Sequence, residues 1–433
     1  MSWPTVQFEQ LYDGSSRNGL YKSKEHHGSG TKVVNMGELF GFDRIGKQDM
    51  ARIRISDMEL DRFGLQHGDL LFGRRSLVEE GAGRCAMVYL PTESLTFESS
   101  IIRVRLSQRI ANPHFYFYYF RSHRGRAAIM AIVSGATVKG IRGSDLKNIN
   151  VACPSLSVQT KIVEILAAYD DLIENNQRRI KLLEEAARRL YREWFVALRF
   201  PGHEPVELVD GVPQGWRLRA LGDVCDAVGG ATPTTARADY WDGDITWLTP
   251  TDVTRNGCLF LTDSSRKITA AGLENCSSQL LPAGTIFMTS RASIGYFAML
   301  DHAACTNQGF ISVIPKVAHS REFLLFNLMS RVDEFISRST GSTFLELSKK
   351  TFRAMECVWP SQEVLAHYSR QVGPVLKQVE VLKKQLVVVS VGSMGSGIAG
   401  GMNAGCSLER IDFEATIVGD EQAFGESGIV SSL

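Results

Sequence analysis

Ile162, Leu166, Tyr169, Ile173, Asn176, Ile180, Leu183, Ala187, Leu190 and Trp194 recur at alternating steps of four and three through the middle of this chain. That spacing holds one stripe on one side of a helix and calls for a partner helix. The residues between are charged (Glu174, Arg178, Arg179, Glu184, Glu185, Arg188, Arg189), so the other faces are wet. About 40 helical residues at ~1.5 Å each make a rod of roughly 60 Å. Asn176 interrupts the seam, and a polar residue there fixes register at some loss of stability. The partner lies later in the chain. Leu365, Tyr368, Val372, Val375, Val379, Leu382 and Leu386 repeat the alternation, with Gly373-Pro374 placed to kink the second helix. Each run opens just after a Pro-Ser pair, Pro154-Ser155 and Pro360-Ser361, a helix-start signal.

The recurrence of that pair at an offset of 206 residues is part of a larger repeat. Gly68–Arg75 corresponds to Gly284–Arg291 and Pro113–Ser122 to Arg321–Ser330. Ser134-Gly135-Ala136-Thr137 corresponds to Thr340-Gly341-Ser342-Thr343, and Leu146–Ser155 to Phe352–Ser361. The order is kept and the offset drifts slowly, as loop insertions would make it. The expected fold class is α+β: two pseudo-symmetric mixed α/β domains separated by two long antiparallel coiled-coil helices. The expected boundaries are 1–154, a central helix over 155–200, a second domain over 201–360 and a distal helix over 361–389. A Gly/Ser-rich atypical tail follows over 390–433, where the glycine run cannot continue a helix stably. Two domains related by an approximate two-fold axis suit a ligand with its own two-fold repeat, and double-helical DNA has one.

Composition narrows the classes further. With 433 residues, 44% hydrophobic and 22% charged, the chain is globular. It has no run of 18 apolar residues, and Met1-Ser2-Trp3-Pro4 lacks the features of a signal peptide. The eight cysteines are scattered without CxxC spacing, so the reading is reduced thiols in a cytoplasmic protein, with no metal site. The net charge of +1 conceals an asymmetry. Residues 1–154 carry 21 Lys and Arg against 15 Asp and Glu, whereas residues 201–360 carry 14 against 17. The first domain favours a polyanion.

The chain resembles the specificity subunit of type I restriction–modification systems over about residues 1–388. The resemblance rests on the repeat and on Pro154-Ser-Leu-Ser-Val-Gln159-Thr-Lys-Ile162 leading into Asp170-Asp171-Leu172-Ile173 and Leu190-Tyr191-Arg192-Glu193-Trp194-Phe195. It continues through Trp216-Arg-Leu-x-x-Leu221-Gly222-Asp223, Ile245 to Val253 and the Gly341-Ser342-Thr343 element. It implies a non-catalytic, sequence-specific DNA-binding subunit with two target-recognition domains, each reading half of a bipartite double-stranded site. The helices then serve as a molecular ruler. It also implies partners: adenine-specific methyltransferase subunits, two in number, and restriction/translocase subunits. S-adenosylmethionine, ATP and magnesium are expected on those partners, with no cofactor on this chain and no membrane association.

Asn112-Pro113-His114-Phe115 is similar to an amino-methyltransferase motif, but its counterpart, Ser320-Arg321-Glu322-Phe323, abandons the Asn and Pro. It reads as a helix start. The aromatic run Phe115–Phe120 gives way to Leu324, Leu325, Asn327 and Leu328 in the repeat, which points to core packing rather than a base-stacking platform. No catalytic residue emerges, which argues against one rival class, a self-sufficient methyltransferase or nuclease; the other rival is a protein-binding scaffold. The DNA-contact candidates are polar and basic loop residues. They are Lys32, Arg74, Arg75, Thr137, Lys139 and Arg142 in the first domain, and Thr249, Thr251, Arg291, Ser293, Ser342, Thr343, Lys349 and Lys350 in the second. Arginine there can pair with guanine or hold a phosphate.

Overall fold

The computed structural model describes residues 3–78, 81–204, 206–209 and 211–392. The Gly/Ser-rich tail beyond Gly392 lies outside the described residues. The chain forms two compact units, Met1–Asp171 and Leu172–Val389.

The first unit is built on a five-stranded sheet ordered Arg17–Asn18, Ile101–Val104, Leu70–Gly73, Cys85–Val88 and Arg44–Ile45. Strands Leu70–Gly73, Cys85–Val88 and Ile101–Val104 are buried along their whole length, as continuous apolar runs require when both faces are covered. A second sheet joins Arg52–Ile53, His27–Val34 and Leu95–Phe97, and Thr5–Gln7 pairs with Asn150–Ala152. The helix Pro113–Arg121 covers the core. Asn112 caps it by accepting the His114 N–H at 3.0 Å, and Pro113 opens it, which confirms the helix-start reading. Phe115 to Phe120 are all at most 2% exposed, so the aromatic run is core.

The second unit repeats these parts in the same register. Ile101 faces Gly73 and Val104 faces Leu70 in the first; Phe310 faces Thr289 and Val313 faces Ile286 in the second. Strand His27–Val34 carries an irregularity between His27 and Thr31, and strand Trp241–Leu248 carries one between Trp241 and Ile245. Each of these strands has one antiparallel and one parallel neighbour. The repeat therefore extends to hydrogen-bond pairing that residue identities alone do not display.

The central helix spans Leu156–Tyr191 and closes in a π turn, Arg192–Val196. It serves two cores. Its first half belongs to the first unit, where Ile162 and Leu166 pack among Phe115, Tyr116 and Tyr119. From Ile173 onward it packs on the distal helix, Gln362–Gly392. Tyr368 Oη donates to the Ala187 carbonyl at 3.3 Å and Asn176 Nδ2 to Gln385 Oε1 at 3.5 Å. Position falls along one helix as it rises along the other, so the pair is antiparallel.

The seam differs from expectation in three places. Tyr169 is 42% exposed, because Asp170 turns inward instead. Asp170 accepts from Arg44 at 2.8 Å and from Tyr118 Oη at 2.7 Å. Tyr191 rather than Leu190 is fully buried, and Leu376 replaces Val375. An unsupercoiled helix drifts about 20° per heptad, enough to move the buried position by one residue over this length. The distal helix also runs unbroken through Pro374, whose side chain is exposed.

Candidate nucleic-acid interface

In the first unit, the turn leaving strand Leu70–Gly73 meets the loop after helix His123–Met130. Arg75-Ser76 pairs antiparallel with Lys139-Gly140, and the Ile141 N–H donates to the Arg74 carbonyl at 3.1 Å. Ser134 and Gly140 exchange both backbone hydrogen bonds at 2.9 Å, closing a loop with Thr137 and Val138 exposed at its tip. The second unit builds the same object 206 residues on. Thr340 and Glu346 exchange backbone bonds at 3.1 and 2.9 Å, and the Leu347 N–H donates to the Ser290 carbonyl at 2.9 Å. The Ala292 N–H reaches the Leu345 carbonyl at 2.9 Å, with Ala292 itself left-handed at φ +61°. A non-glycine residue in that conformation stores backbone strain.

These two paired loops bring together most of the sequence candidates. Arg75 and Thr137 are exposed, while Arg74 and Lys139 are half-buried beside them. Arg142 is exposed and precedes helix Gly143–Leu146. Arg291, Ser293, Ser342 and Thr343 are exposed on the second pair, with Arg291 Nε 3.8 Å from Glu346 Oε2. Lys349 and Lys350 open helix Lys349–Ala354, which Ser348 caps by accepting the Thr351 N–H at 3.0 Å.

Lys32 and Thr249 are among the candidates that the fold engages. Lys32 is 7% exposed; its ammonium donates to the Gln48 carbonyl at 3.0 Å and pairs with Glu93 at 3.0 Å. It lies on strand His27–Val34, whose last three residues are all buried, and these bonds tie its side chain internally. Thr249 also has internal partners, because it caps helix Pro250–Asn256. Its hydroxyl donates to Asp252 Oδ2 at 2.7 Å, and the same carboxylate accepts the Thr249 N–H at 2.7 Å. Burial raises the Asp252 carboxyl's pKa, but hydrogen bonds from Ser265 and Thr249 outweigh it and hold the group below the usual carboxylate range. Asn35 and Glu38 form the matching cap in the first unit, with the Asn35 N–H donating to Glu38 at 2.8 Å. Thr251, two residues past Thr249, is exposed.

One shared element escaped the sequence reading. The Leu20 N–H donates to the Phe97 carbonyl at 2.9 Å, and the Ala231 N–H to the Thr306 carbonyl at 3.0 Å. The preceding glycines allow this approach: a Cβ on Gly19 would lie 2.2 Å from the Phe97 carbonyl oxygen, and one on Gly230 1.9 Å from that of Thr306. The next residue is exposed in both copies. Tyr21 is 84% exposed, and Thr232 donates to Gln308 at 2.7 Å. The only sequence signal was a glycine at matching places, Gly19 and Gly230.

The family model "Type I restriction modification DNA specificity domain" matches residues 21–185 and again 213–366. The chain belongs to this specificity family. Over 182 residues this specificity-family chain is 36% identical to the type I restriction enzyme MjaIX specificity subunit of Methanocaldococcus jannaschii, covering 40% of this chain and 42% of that protein. The alignment thus spans less than half of that relative. Over 372 residues it is 23% identical to the type I restriction enzyme HindI specificity subunit of Haemophilus influenzae, covering 71% of this chain and 80% of the other. The crystal structure of a type I restriction–modification system S subunit from M. genitalium shares the fold, with a TM-score of 0.59 at 16% identity over 90% of this chain and 94% of that one. Among the described residues no group of His, Cys, Asp and Glu is placed to hold a metal ion, and no helix is long and apolar enough to cross a membrane.

Proposed function

We propose that this chain is the non-catalytic DNA-specificity subunit of a type I restriction–modification complex. Residues 1–154 and 201–360 act as two target-recognition domains, each reading one half of a bipartite double-stranded site. Residues 155–200 and 361–389 are the spacer that sets the gap between the halves. Partner subunits carry the chemistry: two adenine-specific methyltransferases using S-adenosylmethionine, and restriction/translocase subunits using ATP and magnesium, all in the cytoplasm. One observation carries the reading. The specificity-domain match occurs twice, and each copy builds the same paired-loop surface with exposed arginine and hydroxyl side chains.

The DNA-contact set is Arg74, Arg75, Thr137, Lys139 and Arg142 with Thr251, Arg291, Ser293, Ser342, Thr343, Lys349 and Lys350. Arginine and lysine there hold phosphates and fix register, while base edges supply sequence discrimination. Genome-wide mapping of methylated adenine tests the proposal in cells expressing the chain with its modification subunit. A new split motif with two defined halves and an unspecified gap is expected; co-purification of the two proteins with no new methylation refutes it. The purified chain should bind duplex DNA with an affinity that falls steeply with salt, since phosphate contacts release counterions.

A further inference from the structure

Each paired loop carries an exposed apolar side chain near its tip. Val138 is 46% exposed and Phe344 is 59% exposed, each four residues past the loop's opening Ser134 or Thr340. The backbone places them alike. Gly135 has φ +109° and Gly341 φ +132°, and an added Cβ would lie 2.2 Å from the Val138 carbonyl oxygen and 2.1 Å from that of Phe344. Neighbouring positions differ between copies, Ala136 against Ser342 and Lys139 against Leu345, yet an exposed apolar residue stands here in both. The first loop's surroundings are basic, since Arg75 and Lys139 share a small sheet beside Val138, while beside the second Arg291 lies 3.8 Å from Glu346.

A single exposed apolar side chain is ordinary on a protein surface; what sets these two apart is that the same loop position carries one in both copies. Cationic side chains beside such a residue suit duplex DNA, where they hold phosphates while an apolar group reaches a base edge. The thymine C5 methyl is the apolar feature that the major groove offers. Resting on the recognition role above, we propose that Val138 and Phe344 are specificity-determining residues, one for each half of the site, each making apolar contact with a thymine methyl. Their different sizes fit two different half-site sequences.

The test expresses the parent chain, Val138→Ala or Phe344→Ala with the modification subunit and maps methylated adenine. Each variant is expected to relax one position in its own half, by on the order of tenfold in discrimination, with the gap and the other half unchanged. Purified parent should lose affinity for a duplex carrying uracil in place of thymine at that position, while the variant is indifferent to the exchange. The swaps Val138→Phe and Phe344→Val provide a second pair, expected to alter preference at the same two positions. Unaltered motifs in all four variants overturn the proposal, as does relaxation of the same half by both alanine variants. Lost co-purification with parent-like thermal unfolding also overturns it, by placing the tips on a protein partner. A parent chain that yields no split motif refutes the recognition role itself, which is a separate outcome.

Discussion

Replacing Asn176 with leucine should stabilise the second unit. Asn176 is 1% exposed in the seam between the two long helices, and its amide donates to Gln385 only at the 3.5 Å limit. Its Oδ1 has no hydrogen-bond partner among the described residues. Leaving a buried acceptor unpaired costs about 1–3 kcal/mol, and a hydrogen bond that long returns little of it. Leucine removes the unpaired acceptor and adds apolar burial, set against the strain of seating a branched side chain of similar length. The net expectation is a gain of about 2 kcal/mol. For a unit of this size that is roughly 4–8 °C in melting temperature. Calorimetry on the full chain reads it directly. An unchanged or lower melting temperature for Asn176→Leu would refute the reasoning, showing that the seam holds the amide at no net loss. The same variant removes the polar residue that distinguishes one helix register from others, so its methylation should show less uniform gap length between half-sites.

Gln159→Leu should act oppositely, since Gln159 is fully buried and bonds the Asn112 N–H at 2.7 Å, the Pro154 carbonyl at 2.8 Å and the Ile110 carbonyl at 3.2 Å. A loss of about 3 kcal/mol is expected, read as faster amide exchange around residues 110–112. Gly341→Ala should leave the melting temperature within a few degrees of the parent but abolish discrimination in one half-site, because the loop must refold to admit a Cβ 2.1 Å from the Phe344 carbonyl oxygen. Hydrogen bonds from Lys384 and His302 hold the Asp301 carboxyl down at about 2. Its stabilisation is therefore present above the unfolded value near 4 and lost as pH falls toward 2. Asp301→Asn should flatten that limb of an acid-unfolding curve, and an unchanged limb would show that other carboxylates dominate it.

Much of the architecture was legible because it is written twice. The helix start at Asn112, the core role of Phe115–Phe120 and the antiparallel pairing of the long helices all follow from comparing one copy with the other. What escaped was decided by tertiary contacts. Tyr169 satisfies the heptad spacing, but Arg44 and Tyr118 give Asp170 a reason to face inward. Lys32 and Thr249 look like loop contacts until bonds to Gln48 and Glu93 and a helix cap engage them. Pairing positions 20 and 231 needed backbone geometry, since Leu20 and Ala231 do the same work through an N–H that every residue but proline has. The apolar tips at 138 and 344 lay one residue past the Thr137–Thr343 match and were hidden by the difference between valine and phenylalanine.

Gln159 addresses only main-chain atoms of the segment it grips: one N–H and two carbonyls, at residues 110, 112 and 154. Its counterpart by offset, Leu365, fills its own place in the other copy without any polar contact to match. The first socket is thus indifferent to which side chains the gripped segment carries, so long as its backbone arrives in the same place. A recognition surface could diverge extensively upstream of it, or be replaced outright by another of the same backbone plan, and the joint to the central helix would still close. Grafting a foreign domain of the same backbone plan onto this helix, with the boundary after Pro154, should then succeed.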